Sequence, residues 1–153
     1  MKAKNLMTRE VATCRPEDAM TAAARIMWEH DCGIVPVVDG EGRVIGVVTD
    51  RDLCMASYTR SEPLSRMCVR DAMAKEVFLC SDEAEESAVH DTMREHQVRR
   101  LPVVDGEGRL QGVVSLNDLV LQAAAKGAPE RRWRDVAKTL TEISRHREVT
   151  AAV

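Results

Sequence analysis

Two short segments of this chain pair a hydroxyl side chain with a carboxylate at the same spacing. They are Gly46-Val-Val-Thr49-Asp-Arg-Asp52 and Gly112-Val-Val-Ser115-Leu-Asn-Asp118. If the hydroxyl residue is a helix N-cap, the carboxylate lies almost one turn later, on the same side of the helix start. Free backbone N–H groups at a helix start attract phosphate, and a carboxylate accepts hydrogen bonds from the hydroxyls of a ribose. The spacing therefore predicts a site for a nucleoside phosphate.

The same spacing also has a purely structural interpretation. Ser or Thr followed three residues later by an acid is the capping box, in which two reciprocal hydrogen bonds hold a helix start. On this interpretation Asp52 and Asp118 bind only their own backbone. The chain would then be a structural dimerisation or adaptor protein with no nucleotide ligand.

Other reactive side chains indicate neither catalysis nor a metal. Cys54 has no base at useful spacing. His30 and Cys32 could bind a metal together, but the equivalent pair later in the chain is His96 and Val98, which lacks the sulfur. We predict no catalytic residue, no metal site and no required cofactor.

An internal repeat must position the two segments. When the chain is shifted by 66 positions, Lys4–Leu53 aligns without a gap with Arg70–Leu119, and 22 of 50 positions are identical. Each unit is too small to close a large core alone, so the two should bury their apolar faces against one another. We expect pseudo-twofold symmetry and a pair of equivalent clefts where the units meet.

Each unit has the pattern of an α+β fold of the form β-α-β-β-α. In the first unit, strands are predicted at Val11–Cys14, Ile34–Val38 and Val44–Val48, with a helix after the first strand and another after the third. The runs that follow the first helix are rich in valine, as in strands covered on both sides. Asp39–Gly42 predicts a hairpin turn between them. Val77–Cys80 is the counterpart of the first strand.

The proline in each second strand has a separate meaning. Pro36 and Pro102 cannot donate a backbone hydrogen bond, so each predicts an irregular start or an edge. Main-chain groups beside them would then be free to contact a ligand.

The chain divides into four parts: a first repeat at 1–60, a linker at 61–69, a second repeat at 70–126 and a helical extension at 127–153. The extension is predicted to be an amphipathic helix packed on its own chain or on a dimer mate; a docking helix for an unrelated protein is the alternative. Its predicted apolar face consists of Trp133, Val136, Ala137, Leu140 and Ile143.

Composition excludes several classes of partner. The 22 basic and 25 acidic residues are interspersed and leave a net charge of −3, too weak a field to favour nucleic acid or an anionic membrane. No signal segment or apolar run of membrane-spanning length is present, which predicts a cytoplasmic protein. The five cysteines cannot all pair within one chain and form no C-x-x-C, so we expect them to be reduced.

The whole pattern resembles a known family. Two Gly-h-h-Thr/Ser-x-x-Asp segments, each after a Pro-Val-Val-Asp hairpin, with Met7-Thr8 and Met73-Ala74 opening the units, are similar to a tandem cystathionine-β-synthase (CBS) domain pair, or Bateman module. The resemblance covers roughly residues 1 to 125. It implies interfacial clefts that bind adenosine ligands such as AMP, ADP, ATP or S-adenosylmethionine. It also implies a regulatory sensor that does not catalyse, that forms a homodimer shaped as a flat disc of four units, and that acts on a regulated protein the sequence does not identify.

The resemblance assigns roles to particular residues. Asp52 and Asp118 would hold ribose, and Thr49 and Ser115 would contact phosphate. Basic residues that contact phosphate in the nucleotide-sensing subunit of AMP-activated protein kinase correspond to two arginines here, and Arg51 is a further candidate. The purine would lie between aliphatic side chains. The complete predicted set is Ile34, Pro36, Thr49, Arg51, Asp52, Arg99, Arg100, Leu101, Pro102, Ser115 and Asp118.

The two clefts are expected to differ. Where the second repeat has Arg99 and Arg100, the first has Gly33 and Ile34. A phosphate is attracted by guanidinium groups and not by glycine or isoleucine. The clefts should therefore differ in their affinity for an anion.

Overall fold

The structure, a computed structural model, describes residues 1–145. The first repeat contains α1 (Met20–Glu29), β1 (Ile34–Val38), β2 (Val44–Thr49) and α2 (Asp50–Arg60). The second contains β3 (Cys80–Ser81), α3 (Glu86–His96), β4 (Arg100–Val104), β5 (Leu110–Ser115) and α4 (Leu116–Ala124). Helix α5 (Arg131–Ser144) follows, and short 3-10 turns lie at 3–5, 64–66 and 69–71. The predicted α+β fold of two β-α-β-β-α-like repeats with a C-terminal helix is confirmed. The part of the predicted extension 127–153 that follows residue 145 lies outside the described residues.

The first predicted strand of each repeat is shorter than expected. Of Val11–Cys14, Cys14 alone bridges to the sheet, at Val37. Of the second segment, pairing begins at Cys80 and consists of β3 running parallel to β4. The strand prediction was wrong for the residues before each cysteine, because that backbone leaves the sheet and runs along the edge of a cleft.

The hairpins follow the predicted turn chemistry. β1 pairs antiparallel with β2, and β4 with β5, each with one register shift. In the first turn Asp39 Oδ1 accepts hydrogen bonds from the backbone N–H groups of Glu41 and Arg43, both at 2.9 Å. These bonds stabilise the ionised carboxylate and lower the pKa of Asp39. Gly42 has a φ of +79°, which favours glycine at that position.

The two hairpins bind each other symmetrically. The N–H of Val44 donates to the carbonyl oxygen of Gly108 at 3.1 Å, and that of Leu110 donates to Gly42 at 3.0 Å. Leu110 and Gly108 are the repeat equivalents of Val44 and Gly42. The reciprocal pair is the expected signature of a pseudo-twofold axis between the repeats.

The segment that opens each repeat packs on the other repeat. Thr8 exchanges two backbone hydrogen bonds with Val113 of β5, at 2.9 and 3.0 Å, and Ala74 exchanges two with Val47 of β2, at 2.8 and 3.1 Å. Ala3 and Leu6 accordingly belong to the core of the second repeat. In the same way, Met67 and Val69, from the predicted linker, belong to the core of the first. The repeats are therefore interlocked.

Glycine permits this close approach. A Cβ added to Gly112 would lie 2.4 Å from the carbonyl oxygen of Thr8, and one added to Gly46 would lie 3.0 Å from Met73 Sδ. Real Cβ atoms essentially never approach within 3.0 Å, so packing requires glycine at 112, whereas at 46 the contact is tight and Met73 would have to shift by a few tenths of an ångström.

Helix α5 packs on α3 and α4. Val136 joins the core of the second repeat, and Arg132 forms an ion pair with Glu86 at 3.1 Å in which both side chains are largely buried. The predicted apolar face was partly wrong, because Trp133 and Leu140 are each 47% exposed. The buried positions are Val136 and Thr139, since the helix is rotated so that an edge of the predicted face meets the core.

The five cysteines form no disulfide in the structure. Burial raises the pKa of the Cys14 thiol to about 11, so at neutral pH this group stays protonated and unreactive. Among the described helices, none combines the length and the apolar character needed to cross a bilayer.

Candidate functional site

Two clefts lie where the repeats meet, as the repeat predicted. The larger, about 500 Å³, contains the first hydroxyl and acid pair and is called here the Thr49 cleft; the smaller, about 300 Å³, contains the second pair and is called the Ser115 cleft. Each combines an end of one repeat with the opening segment of the other. The Thr49 cleft is lined by Gly33, Ile34, Val47, Thr49, Asp50, Arg51, Asp52, Ala74, Glu76, Val77, Phe78, Gln97, Val98, Arg99, Arg100 and Pro102. The Ser115 cleft is lined by Thr8, Glu10, Val11, Ala12, Ile26, His30, Asp31, Cys32, Ile34, Arg100, Val113, Ser115, Asn117 and Asp118.

Both hydroxyl and acid pairs form the helix caps that the structural interpretation predicts. Thr49 is the N-cap of α2, and Asp52 Oδ2 accepts hydrogen bonds from Thr49 N at 2.9 Å and Thr49 Oγ1 at 2.8 Å. Ser115 caps α4 in the same way, with Asp118 Oδ2 at 2.7 Å from Ser115 N and 2.6 Å from Oγ. Both segments form capping boxes.

The capping boxes leave half of each carboxylate available. All of these bonds go to Oδ2, and within residues 1–145 the Oδ1 atoms of Asp52 and Asp118 accept no hydrogen bond. A carboxylate offers about four acceptor positions, so one oxygen can hold the helix start while the other accepts a bond from a ligand. Both side chains are partly exposed and line their clefts. The structural and the ligand-binding interpretations are therefore compatible.

Three guanidinium groups surround the Thr49 cleft. Arg51 lies in the first turn of α2, Arg100 is the first residue of β4 and Arg99 precedes it. In the part of the chain that the structure describes, none of the three forms a side-chain hydrogen bond or ion pair. Unpaired arginines grouped at a cleft beside a helix N-terminus are suited to a phosphate group.

The Ser115 cleft has a different charge. Asn117 occupies the place of Arg51, and Arg100, which reaches both clefts, is its single arginine. Glu10 and Asp31 line it together with Asp118. The Thr49 cleft is also lined by three carboxylates, Asp50, Asp52 and Glu76, so the two clefts differ in their arginines, and the Ser115 cleft has the more negative net charge.

Phe78 was not indicated by the sequence pattern. It lines the Thr49 cleft, and its ring stacks on that of His96 with centroids 3.7 Å apart and planes 8° from parallel. The equivalent position in the first repeat is Ala12, which lines the Ser115 cleft. The chain's single phenylalanine stands here in place of alanine. This departure from the repeat is the sequence feature that could have indicated Phe78.

Two residues of the predicted set do not line a cleft. Leu101 is fully buried in the core of the second repeat, because alternate side chains of a strand point to opposite faces and it is Arg100 and Pro102 that line the cleft. Pro36 is buried and lines neither cleft, since the smaller Ser115 cleft does not extend to it. Ile34 lines both clefts, as the prediction requires.

No group of three or more His, Cys, Asp and Glu side chains within residues 1–145 is arranged to hold a metal ion. His30 and Cys32 both line the Ser115 cleft but belong to no such group.

The sequence profile of the CBS domain matches residues 3–58 and again residues 69–124. This chain belongs to the CBS domain family. It is a CBS pair, with α5 outside both matched regions.

Curated relatives include proteins of similar length and much longer enzymes. The CBS pair is 36% identical over 121 residues to the protein YlbB of Bacillus subtilis, covering 78% of this chain and 80% of that protein. It is 32% identical over 120 residues to inosine-5'-monophosphate dehydrogenase of Methanocaldococcus jannaschii, covering 78% of this chain and 23% of the enzyme. The chain thus spans less than a quarter of that enzyme, which corresponds to its CBS part.

Solved CBS-domain structures share the fold. A signal-transduction protein with CBS domains from Burkholderia ambifaria is 27% identical with a TM-score of 0.73, covering 83% of this chain and 96% of that one. CBSX2 in complex with AMP is 25% identical with a TM-score of 0.71, covering 80% and 96%. The cytosolic domain of the Mg2+ channel MgtE in complex with ATP is 30% identical with a TM-score of 0.68, covering 78% of this chain and 47% of that one.

Proposed function

We propose that this CBS pair is a non-catalytic regulatory module that binds an adenosine nucleotide in the Thr49 cleft. One observation supports the proposal most directly. The Asp52 carboxylate, which uses only Oδ2 to cap its helix, lies in the same cleft as three unpaired guanidinium groups. Two solved structures of the same fold are complexes with AMP and with ATP.

Each part of the cleft matches one part of the ligand. Asp52 Oδ1 accepts a hydrogen bond from the ribose, while Oδ2 continues to hold the start of α2. The arginines and the N-terminus of α2 bind the phosphate. Phe78, Val77 and Val98 supply apolar surface for the base.

The unpaired arginines of the cleft rank the candidate ligands. AMP, ADP and ATP carry phosphate, which guanidinium groups attract, whereas S-adenosylmethionine carries a sulfonium cation, which they repel. We therefore propose a phosphorylated nucleotide for the Thr49 cleft. The module would act in the cytoplasm as a homodimer and influence a regulated protein outside this chain, if the ligand binds two conformations with unequal affinity.

The test separates ligand binding from helix capping. Asp52→Asn keeps one carbonyl oxygen to accept the capping hydrogen bond and replaces the other oxygen with an amide donor, which cannot accept from ribose. The matched control is Asp71→Asn, because Asp71 accepts from Cys68 N at 2.9 Å in a similar cap and lines neither cleft. Calorimetric titration with AMP, ADP, ATP and S-adenosylmethionine gives the affinity of each variant.

We expect at least one phosphorylated nucleotide to bind. Asp52→Asn should weaken it by about tenfold or more, since a lost hydrogen bond to a charged group costs about 1.5–3 kcal/mol, and Asp71→Asn should leave it unchanged. Absence of binding by all four compounds would favour the structural dimerisation or adaptor protein. Hydrolysis of ATP that disappears in Asp52→Asn would instead identify an enzyme.

A further inference from the structure

Helix α5 lies outside both matched CBS regions, and few of its side chains are buried against the second repeat. Its buried residues are Val136 and Thr139. Thr139 Oγ1 lies 2.8 Å from His90 Nδ1 and accepts a hydrogen bond from Arg94 Nη1 at 3.2 Å. Because it buries so little apolar surface, α5 can open locally while the rest of the fold persists.

The C-terminal end of α5 is held by a residue that also lines the Thr49 cleft. Gln97 Nε2 donates hydrogen bonds to the carbonyl oxygens of Glu142, at 2.9 Å, and of Arg145, at 3.2 Å. The last carbonyl groups of a helix have no donor one turn further on, so a side-chain donor at this point stabilises the helix end. The side chain of Gln97 thus connects the wall of the cleft to the end of α5.

A second connection runs through the arginines of the cleft. Arg99 and Arg100 line the Thr49 cleft, and they also line another pocket, of about 360 Å³, to which α5 contributes Leu140. Residues 97–99, between the end of α3 and the start of β4, are called here the α3–β4 corner. A shift of this corner would change the cleft and the support of α5 together.

The α3–β4 corner carries two unfavourable features when the cleft is empty. Gln97 has a φ of +50°, in the left-handed region that is unfavourable for a residue with a Cβ. Arg99 and Arg100 place two positive charges side by side, and Arg51 lines the same cleft. A bound phosphate would neutralise these charges and stabilise the corner in this conformation. Since the corner also holds α5, ligand binding and docking of α5 should favour one another.

The Ser115 cleft lacks this connection. Asp31 is the repeat equivalent of Gln97, has a φ of +48° and lines the Ser115 cleft, but its side chain forms no hydrogen bond within residues 1–145. The surface of the first repeat that corresponds to the α5 site is an open groove between α1 and α2, lined in part by Ala24, Met27 and Leu53. Coupling of a cleft to α5 is therefore expected for the Thr49 cleft alone.

We propose that a phosphorylated nucleotide in the Thr49 cleft stabilises the docking of the C-terminal half of α5 through Gln97. This coupling rests on the proposed function and names the element that changes with the ligand. In the docked state Gln97 caps α5, and the corner presents both arginines to phosphate. In the released state the corner relaxes and binds phosphate more weakly. Coupling between two sites is reciprocal, so releasing α5 weakens nucleotide binding.

The first measurement is hydrogen exchange of the full chain with and without saturating AMP, ADP or ATP, after calorimetry has shown which of them bind. Backbone amides at 138–144 should exchange about fivefold or more slowly with nucleotide bound, which is the lower end of typical couplings between sites. Gln97→Met removes the amide donor and keeps the length of the side chain. It should abolish this difference at saturating nucleotide, whereas stabilisation of the whole fold alone would preserve it.

The second measurement tests reciprocity with a matched pair of variants on α5. Val136→Asp places a carboxylate in the core of the second repeat and should release α5, whereas Ala137→Asp places the same charge on the exposed side of the same turn. Neither residue lines a cleft. Val136→Asp should raise the nucleotide Kd about fivefold or more above that of Ala137→Asp. Circular dichroism checks that both variants fold, and if Val136→Asp does not, the exchange of the unchanged chain and of Gln97→Met decides.

Two results would overturn the coupling and leave the proposed function intact. One is a nucleotide that binds without slowing the exchange of α5, or that slows it equally in Gln97→Met. The other is the same nucleotide affinity in folded Val136→Asp and Ala137→Asp. If AMP, ADP and ATP all fail to bind the unchanged chain, the proposed function is wrong and the coupling is wrong with it.

Discussion

The Thr49 cleft and the Ser115 cleft have nearly the same backbone and different chemistry. The capping hydrogen bond from the hydroxyl to Oδ2 is 2.8 Å at Asp52 and 2.6 Å at Asp118. The arginines at 51 and 99 in the first cleft are matched by Asn117 and Gly33 in the symmetric positions. Both repeats thus keep the capping box that fixes the local backbone. Substitutions at a few neighbouring positions make the charge of the two clefts different.

The difference extends to the covering of the two repeats. Position 24 is alanine in an open groove, whereas its equivalent, His90, is buried beneath α5. Even the interlocking of the repeats is uneven, because the opening segment approaches Gly112 more closely than its counterpart approaches Gly46. Each of these differences can be tested by matched substitutions in the two repeats.

The largest effect should come from the interlocking glycines. In Gly112→Ala the new Cβ meets the Thr8 carbonyl oxygen, a backbone atom that cannot move without breaking its hydrogen bond from Val113 N, so we expect a loss of about 3 kcal/mol in the free energy of unfolding. In Gly46→Ala the nearest atoms are Met73 Sδ at 3.0 Å, on a flexible side chain, and the Ala74 carbonyl oxygen at 3.1 Å. Both contacts are longer than the 2.4 Å at Gly112, so the expected loss is about 1 kcal/mol. Urea denaturation measures both. Equal losses would show that the two interlocks are equivalent.

The second prediction concerns the charge of the clefts. Arg99→Gln and Arg100→Gln should each weaken AMP by about tenfold, since each removes a charge-assisted hydrogen bond to phosphate. Adenosine, which lacks the phosphate, should bind both variants as it binds the unchanged chain. Asn117→Ala, which removes a polar side chain from the Ser115 cleft, should leave AMP binding unaltered. Calorimetric titration distinguishes these cases, and an equal loss for adenosine and AMP would exclude phosphate as the group that the arginines contact.

The third prediction concerns pH and the cover over the second repeat. Burial lowers the pKa of His90, an effect that Arg94 reinforces and the nearby carboxylates of Asp135, Glu86 and Asp91 oppose. The folded chain therefore binds this proton less readily than the unfolded chain. The neutral His90 side chain therefore makes its full contribution to the free energy of unfolding above the ordinary histidine pKa of about 6.5. This contribution is lost as pH falls from there towards the lowered pKa.

Thermal melting of the unchanged chain and of His90→Gln between pH 7.5 and pH 5 measures this effect. As pH falls, the unchanged chain should lose more stability than the variant. The difference between the two losses should be smaller than the cost of either glycine substitution. The His90 Nε2 atom has no hydrogen-bond partner within residues 1–145, so its protonation would bury an unpaired donor. Parallel pH profiles for the two proteins would show that His90 does not titrate in this range.

The smallest effect should come from the hairpin turns. Asp39 and Asp105 accept equivalent backbone hydrogen bonds, and Asp105 also accepts one from Gln111 Nε2 at 3.1 Å, where the first hairpin has Ile45. Asp105→Asn should therefore lower the Tm slightly more than Asp39→Asn, each by at most about 2 °C, because both carboxylates are exposed. Calorimetry measures the two decreases in Tm. A larger decrease for Asp39→Asn than for Asp105→Asn would contradict the prediction.

Much of the site was predictable because it is local. The capping boxes join residues three apart, and the hairpin turns join residues two to four apart, so the chain carries their geometry wherever it folds. The unequal arginines could also be predicted, since they are departures from an otherwise close repeat. Leu101 was assigned to the wrong face because a shift of one residue on a strand reverses the side chain, and composition alone does not set that register.

The sequence by itself determined the two repeats, their hairpins, their helix caps and the difference in charge between the clefts, because each of these depends on residue types at short spacing. Tertiary structure decided which repeat each opening segment completes, that Phe78 enters the Thr49 cleft and which edge of α5 is buried. These features depend on contacts between residues far apart in the chain, where packing and close approach choose among arrangements that the local pattern permits equally.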